Sequence, residues 1–243
     1  MSTPLTWARH LRGGLRAHTG PSPEAQLDSV EYDDYWQTRG LPKPEAPPSS
    51  DEWDYPRFVA IAELISVTER VIDIGCGSGR LLALLHDRGI SNTVGVDTSG
   101  AAVEALRGYG YEAQQADLGS LDPSTLGHAD VIILSEILEH VVNFETVLDR
   151  CVQHAGRVII SHPNIGFWPH RWRMLTGRFP VQWGWHPGEH VRFFTVADML
   201  ELFHRRGYRL LSQSVPIGVP GARLRERWPN LLSEHVIFEL ERA

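Results

Sequence analysis

Only two cysteines, Cys76 and Cys151, occur in 243 residues, and one of them falls in a glycine-rich loop where a bridge would be awkward. A disulfide framework is thereby excluded, and the reducing cytoplasm of a bacterial cell is the expected compartment. Lysine is nearly missing as well. Lys43 is the single one among 23 basic residues, a bias that reflects a GC-rich coding sequence more than any function. An excess of positive charge is absent: the formal net charge is -7. That balance works against broad nucleic-acid binding, because phosphates must be met by clustered Lys and Arg. No charge-free apolar run approaches the ~20 residues of a membrane span, so no membrane segment is expected. The first twenty residues lack an apolar h-region, being broken by Gly13, Gly14 and Gly20, which argues against secretory export. Arg9, Arg12 and Arg16, with no acid before Glu24, only weakly imitate a transit peptide.

What is present is enough for one sizeable domain, with 42% of the residues hydrophobic. The segment 41–50, LPKPEAPPSS, holds four prolines and two serines without apolar period and reads as a linker. Residues 1–50 are therefore an N-terminal extension and 51–243 the main domain. Within the extension, SVEYDDYWQTRG sets Val30, Tyr32, Tyr35 and Trp36 among acids. It is either a short amphipathic helix packed on the domain or a flap over a ligand, with Tyr35 as a candidate ligand contact.

From Asp51 helical segments alternate with short β-branched runs, the signature of a parallel α/β sheet. The pattern predicts helices over 54–66, 78–88, 100–108, 143–154 and 196–206. Strands are predicted at 70–74, 93–96, 112–116, 131–134, 157–161, 208–215 and 235–241. The run Val131, Ile132, Ile133, Leu134 has the continuous apolarity of a central strand covered on both faces. About twenty residues without an obvious helix separate the final two strands, so they are expected to pair antiparallel at the sheet edge. The expected fold is a Rossmann-like, doubly wound, seven-stranded sheet, mostly parallel, with an antiparallel last strand.

In VIDIGCGSGR a strand runs into Gly75, Gly77 and Gly79, and a helix follows at once. Such glycines admit positive φ and let a ligand approach bare backbone. A dinucleotide site wants its third glycine one residue later, where Arg80 stands, so the spacing favours a ligand without a pyrophosphate. Asp97, in GVDTS, ends the next strand 24 residues after Asp73, and a carboxylate there accepts hydrogen bonds from ribose hydroxyls. Asp117, in ADL, ends the strand after that and suits an adenine edge. Three acids at consecutive strand ends mark the place where open α/β sheets bind ligands.

Together, VIDIGCGSG, GVDTS, ADL and LSEILEHV resemble the class I S-adenosylmethionine-dependent methyltransferases. The segments ISHPNIGFWPHRWRMLTGRFP and FFTVADMLELF are similar to the MetW proteins and their methyltransferase type 11 relatives. The resemblance implies S-adenosylmethionine as cofactor. Asp73, Gly75, Cys76, Gly77 and Gly79 would lie by its methionine moiety, with Ser135 nearby, Asp97 and Thr98 by the ribose, and Asp117 and Leu118 by the adenine.

Glu136, Glu139 and His140 follow the central strand at i, i+3, i+4 spacing, which predicts one face of a helical turn. Two carboxylates and an imidazole suit Mg²⁺ or another divalent ion. A similar Glu-x-x-Glu-His group holds metal in small-RNA 2′-O-methyltransferases and ubiquinone-pathway O-methyltransferases, which add a later histidine where this chain has His190. The alternative is metal-free chemistry, with Glu136 beside the cofactor and His140 as base. Methyl transfer asks chiefly for alignment and removal of one proton, which a neutral histidine supplies. His140, His190 and His162 are candidate bases in that order. The segment 163–191 carries Trp168, Trp172, Trp183 and Trp185 interleaved with Arg171, Arg173 and Arg178. It reads either as a satellite core or as an acceptor pocket contributed by Trp168 and Trp172.

The expected activity is methyl transfer to oxygen or nitrogen of a small-molecule acceptor, in a chain that could pair as a homodimer. The rival, implied by the MetW resemblance, is a cofactor-binding partner subunit of an acyltransferase. RNA 3′-end methylation would need a basic channel that the net charge disfavours.

Overall fold

The structure, a computed structural model, describes residues 32–33, 47–180 and 189–243. In chain order its elements are α1 (Tyr55–Ala62), β1 (Val71–Ile74), α2 (Arg80–Asp87), β2 (Thr93–Asp97), α3 (Gly100–Gly108) and β3 (Glu112–Gln115). These are followed by β4 (Val131–Ser135), α4 (Phe144–His154), β5 (Arg157–Pro163), α5 (Trp168–Leu175), α6 (Val196–Arg206) and β6 (Tyr208–Gly218). Two short helices, α7 (Ala222–Arg227) and α8 (Pro229–Leu232), precede β7 (Ser233–Arg242).

The seven strands lie in the order β3-β2-β1-β4-β5-β7-β6. The first five are parallel, β7 enters antiparallel beside β5, and β6 pairs antiparallel with β7 at the edge. The expected sheet and its antiparallel final pair are therefore present. Two expectations were short of helices: α7 and α8 fill the stretch between the last strands, and α5 lies within the 163–191 segment. Among the described residues no helix is long and apolar enough to cross a membrane.

Strand periodicity divides the core between the two faces. Val71, Val131, Ile133, Ile159 and Ile237 point to one side, where Phe58 and Ile61 of α1 and Leu81, Leu84 and Leu85 of α2 cover them. Ile72, Ile132, Leu134, Val158, Ile160 and Phe238 point to the other, against Val147, Leu148 and Cys151 of α4 and Met199 and Phe203 of α6. The same alternation assigns the polar strand ends. Asp73, Ser135, Ser161 and His235 share parity with the α1-covered side, whereas His162 shares parity with the α4/α6 core. Pairing of Ser135 with Ser161 and of Pro163 with His235 then sets these polar groups side by side at the carboxyl ends of the parallel strands.

Helix starts follow their capping chemistry. Ser99 accepts Ala102 N–H at the N-cap of α3, and Thr195 accepts Asp198 N–H at that of α6. Gly207 ends α6 in the left-handed region at φ 69°.

Candidate cofactor and acceptor site

The turn from β1 to α2 has the backbone its glycines predict, with φ of 75° at Gly75, 50° at Gly77 and 74° at Gly79. Bareness at Gly75 is enforced by packing: a Cβ there would lie 2.0 Å from Ile137 Cδ1. Gly75 and Cys76 both donate their N–H to Val96 O, at 2.7 and 3.0 Å, locking the loop onto β2. The Cys76 side chain turns under Gly95 into the core, and burial pushes its thiol far above the usual range. Only its backbone is available to a ligand.

Asp97 closes this loop from the end of β2. Its buried carboxylate accepts Gly77 N–H at 2.8 Å and Ser99 N–H at 2.9 Å, one on each oxygen. Burial raises its pKa, and those two amides oppose the shift. Each oxygen keeps a lone pair, so a diol can still be held. Asp33 of the N-terminal extension lies alongside, accepting Ser99 Oγ–H at 2.5 Å and Ala101 N–H at 3.2 Å. Thr98 turns its carbonyl to the Gln115 amide. Asp117 is exposed two residues past β3, and its oxygens accept Gly119 N–H and Ser120 Oγ–H. Leu118 beside it is half-buried against the core. Tyr35 lies outside the described residues.

Asp73 is buried at 3% exposure in β1. Desolvation, then the charge of Asp97, lifts its pKa to about 7, with Arg57 pulling the other way. Past β4, Glu136 adopts φ 56°, a left-handed conformation that costs a non-glycine residue about 1–2 kcal/mol. Its carboxylate is held by Ser161 Oγ–H at 2.9 Å, His235 Nδ1 at 3.0 Å and Arg57 Nη1 at 3.6 Å. Burial opposes ionisation there, but His235 and Arg57 outweigh it and keep Glu136 well below the usual carboxylate range. Ser135 Oγ joins the network through Ser161 Oγ at 3.0 Å.

The expected single face for Glu136, Glu139 and His140 does not form. Because Glu136 takes the left-handed region, its side chain leaves for Arg57 and His235 while a 3₁₀ turn over Leu138–His140 carries Glu139 and His140 elsewhere. Glu139, His140 and His190 do converge, with one ligand atom from each within 4.8 Å of the others. Glu139 O accepts Val191 and Arg192 N–H at 2.9 and 3.0 Å, which docks the 189–192 segment. The His140 and His190 rings meet edge-on at 4.7 Å. His140 Nδ1 donates to Glu189 O at 2.9 Å, leaving Nε2 as the acceptor nitrogen of the neutral ring. Among the described residues both Glu139 oxygens are buried without a hydrogen-bond partner, and burial followed by the Glu136 charge raises its pKa well above normal. Glu139 and His190 also border a small pocket walled by Pro163, Ile165, Phe193 and Phe194, with Arg192 at its side.

His162 is not placed to act as a base. Its ring is fully buried between Phe194 and Phe238, with Nδ1 donating to Pro163 O, and burial lowers its pKa to about 4. The neighbouring Asn164 is a structural rivet: Nδ2 donates to Ser233 O at 2.7 Å and Oδ1 accepts Gly166 N–H at 2.9 Å. Trp168 is half-buried beside Phe167, whereas Trp172 is 60% exposed. Trp183 and Trp185 lie outside the described residues. Sequence reasoning missed Arg57 and His235, the two groups that hold Glu136. A basic residue on the Phe58–Ile61 apolar face of α1 was the available signal for Arg57.

Known proteins fit this geometry. Residues 55–240 match the family model described as "Methionine biosynthesis protein MetW". A bifunctional methionine biosynthesis protein MetXA/MetW of Rhodopirellula baltica is 31% identical over 158 residues, 59% of this chain and 25% of that protein. A ubiquinone biosynthesis O-methyltransferase of Nitrobacter winogradskyi is 26% identical over 65% of this chain and 62% of its own length. This chain thus spans less than two thirds of either relative. Among solved structures, magnesium protoporphyrin IX methyltransferase from Synechocystis, with bound S-adenosylhomocysteine, aligns over 87% of this chain and 98% of its own at TM-score 0.57 and 17% identity. A match covering most of the chain, over strand ends built in this way, shows that the protein belongs to the MetW family, with the fold of the class I methyltransferases.

Proposed function

We propose that the chain binds S-adenosylmethionine at the carboxyl ends of β1, β2 and β4 and transfers its methyl group to oxygen or nitrogen of a small-molecule acceptor. The observation that carries this reading is Asp97, whose buried carboxylate ties the positive-φ glycine turn to the end of β2 and still offers one lone pair per oxygen to a diol. Asp73, Gly75, Cys76, Gly77 and Gly79 border the methionine end, Thr98 the ribose, Asp117 and Leu118 the adenine. Ser135 and Glu136 close the side toward the acceptor. The cofactor supplies an electrophilic methyl sulfonium, so the chain has only to align the acceptor and take its proton. His140 Nε2 is the group for that proton, with Nδ1 held by Glu189 O. Trp168, with the Phe193 and Phe194 wall, lines the acceptor side.

Glu139, His140 and His190 have the donor set and spacing for a divalent ion, and an unpartnered buried carboxyl such as Glu139 fits that role. A Mg²⁺ ion held there would lower the pKa of an acceptor hydroxyl as a Lewis acid. Transfer of labelled methyl to hydroxylated and aminated aromatic acceptors tests the enzyme reading, and loss of transfer after EDTA with recovery on added Mg²⁺ tests the ion. EDTA-resistant transfer would leave His140 as a metal-free base.

A second reading is a cofactor-binding partner subunit of an acyltransferase. The fused MetXA/MetW relative favours it. So does the exposed apolar side of α5, where Trp172, Met174 and Leu175 are 60%, 46% and 80% exposed. A chain that binds cofactor, methylates nothing and raises acyltransferase activity when mixed with that enzyme would support this second reading over the first.

A further inference from the structure

Helix α5 turns inward the face that its composition would send outward. Trp172, Met174 and Leu175 stand exposed, whereas His170 and Arg173, three residues apart and so on one side of the helix, are only 4% and 8% exposed. Apolar burial alone would rotate the helix the other way. Arg173 Nε donates to Phe179 O at 2.9 Å, which closes the turn after α5. Its Nη1 is buried without a hydrogen-bond partner, and among the described residues no carboxylate pairs with it. A guanidinium buried in that state is unfavourable unless a further acceptor completes it.

The surroundings are short of negative charge. Burial, then the charges of Arg173 and His235, lowers the His170 pKa to about 4, so that imidazole is neutral at pH 7. Burial, then the charge of Arg178, lowers the Arg173 pKa. Glu136, which His235 reaches at 3.0 Å, is already held by Ser161 and Arg57 as well. The same cation adjoins the apolar wall of the acceptor side: Phe179, whose carbonyl takes Nε, meets Phe193 edge-on at 5.2 Å, and Phe193 borders the pocket beside Glu139 and His190. A flat apolar body bearing one negative charge suits both features. A carboxylate brings one charge and matches the guanidinium fork, whereas a phosphate monoester brings nearly two, more than one guanidinium beside a neutral imidazole balances.

We infer that Arg173 anchors a carboxylate carried by the acceptor, so that the acceptors of this chain are aromatic acids. The inward polar face of α5 is then a binding surface, and the Phe179 carbonyl is the positioning group that holds the guanidinium by Nε and leaves Nη1 for the ligand. The inference rests on the acceptor side proposed above and deepens it by naming the charge of the molecule bound there.

Titration calorimetry at fixed ionic strength with benzoate, its neutral isostere benzamide and the dianion phenyl phosphate tests this, in the full chain with and without saturating S-adenosylhomocysteine. The wild type should bind benzoate tenfold or more tightly than either of the others, and Arg173→Gln and Arg173→Met should remove that preference while leaving S-adenosylhomocysteine affinity within about twofold. Arg173→Lys, which keeps the charge but not the fork, should fall between. Equal affinity of the wild type for benzoate and benzamide, or binding of neither, would overturn the inference even if the variants failed to fold. Tighter binding of phenyl phosphate would overturn the assignment to a carboxylate. Unchanged preference in a folded Arg173→Gln or Arg173→Met would place the anion elsewhere and overturn it as well. Failure of S-adenosylhomocysteine to bind would instead overturn the cofactor site, with the comparison of benzoate and benzamide in the ligand-free chain still deciding the role of Arg173.

Discussion

Replacing Asp73 by Asn should change the pH dependence of stability in a direction fixed by the structure. Asp73 titrates near 7 in the fold against 3.8 when unfolded, because β1 buries it and Asp97 repels its charge. A carboxyl whose folded pKa is raised contributes stability that is fully present below the unfolded value and lost as pH rises through the folded one. At about 1.4 kcal/mol per pH unit, the three-unit gap corresponds to ~4 kcal/mol in all. About 2–3 kcal/mol of that is lost between about pH 5 and pH 8, the remainder having gone below pH 5. Asn stays neutral throughout, so its stability relative to wild type should rise by about 2–3 kcal/mol between pH 5 and pH 8. Urea unfolding of the ligand-free protein at both pH values measures this difference, and other titrating groups cancel in the comparison. Cofactor affinity should run the other way: the wild type should bind S-adenosylmethionine more tightly at pH 8 than at pH 6, as Asp73 becomes available to the ammonium, and Asp73→Asn should lose that slope. A stability difference independent of pH would refute the assignment of a neutral, buried Asp73.

Gly75→Ala should destabilise by more than the ~1–2 kcal/mol of a left-handed alanine, because its Cβ would also displace Ile137 from 2.0 Å, and thermal unfolding should register it. Asn164→Ala should cost about 1–3 kcal/mol in urea unfolding by leaving Ser233 O and Gly166 N–H without their partner, with little change in cofactor affinity. His140→Gln should reduce methyl transfer tenfold or more at unchanged stability, whereas His162→Gln should lower stability and leave the transfer rate per folded molecule within about twofold. Reversal of that pattern would make His162 the base despite its burial.

The central strands were legible because β-branched runs covered on both faces have few alternatives. Val131 to Leu134 is wholly buried, as its unbroken apolar run requires, and Val71 to Ile74 is wholly buried with Asp73 as its one polar member. The short helices α5, α7 and α8 were not legible, since WPHRWRML, ARLRER and PNLL carry Pro or dense Arg and derive their shape from tertiary contacts such as Asn164 to Asn230 O. At the site, spacing revealed Asp97 because strand ends converge by topology. It misjudged Glu136, whose side chain leaves a left-handed backbone to meet Arg57, Ser161 and His235 from three distant segments. Sequence parity would have separated His162 from His235: the first shares a face with Ile160 and Phe238, the second with Ile237 and Ile159.

The most direct test of the account is calorimetric titration of S-adenosylmethionine into the wild-type chain and into Asp97→Ala. The account predicts saturable one-to-one binding to the wild type and a loss of tenfold or more in a folded Asp97→Ala, since charge-assisted bonds to a ribose diol are each worth about 1.5–3 kcal/mol. Absence of binding by the wild type, or equal affinity in the folded variant, would contradict it.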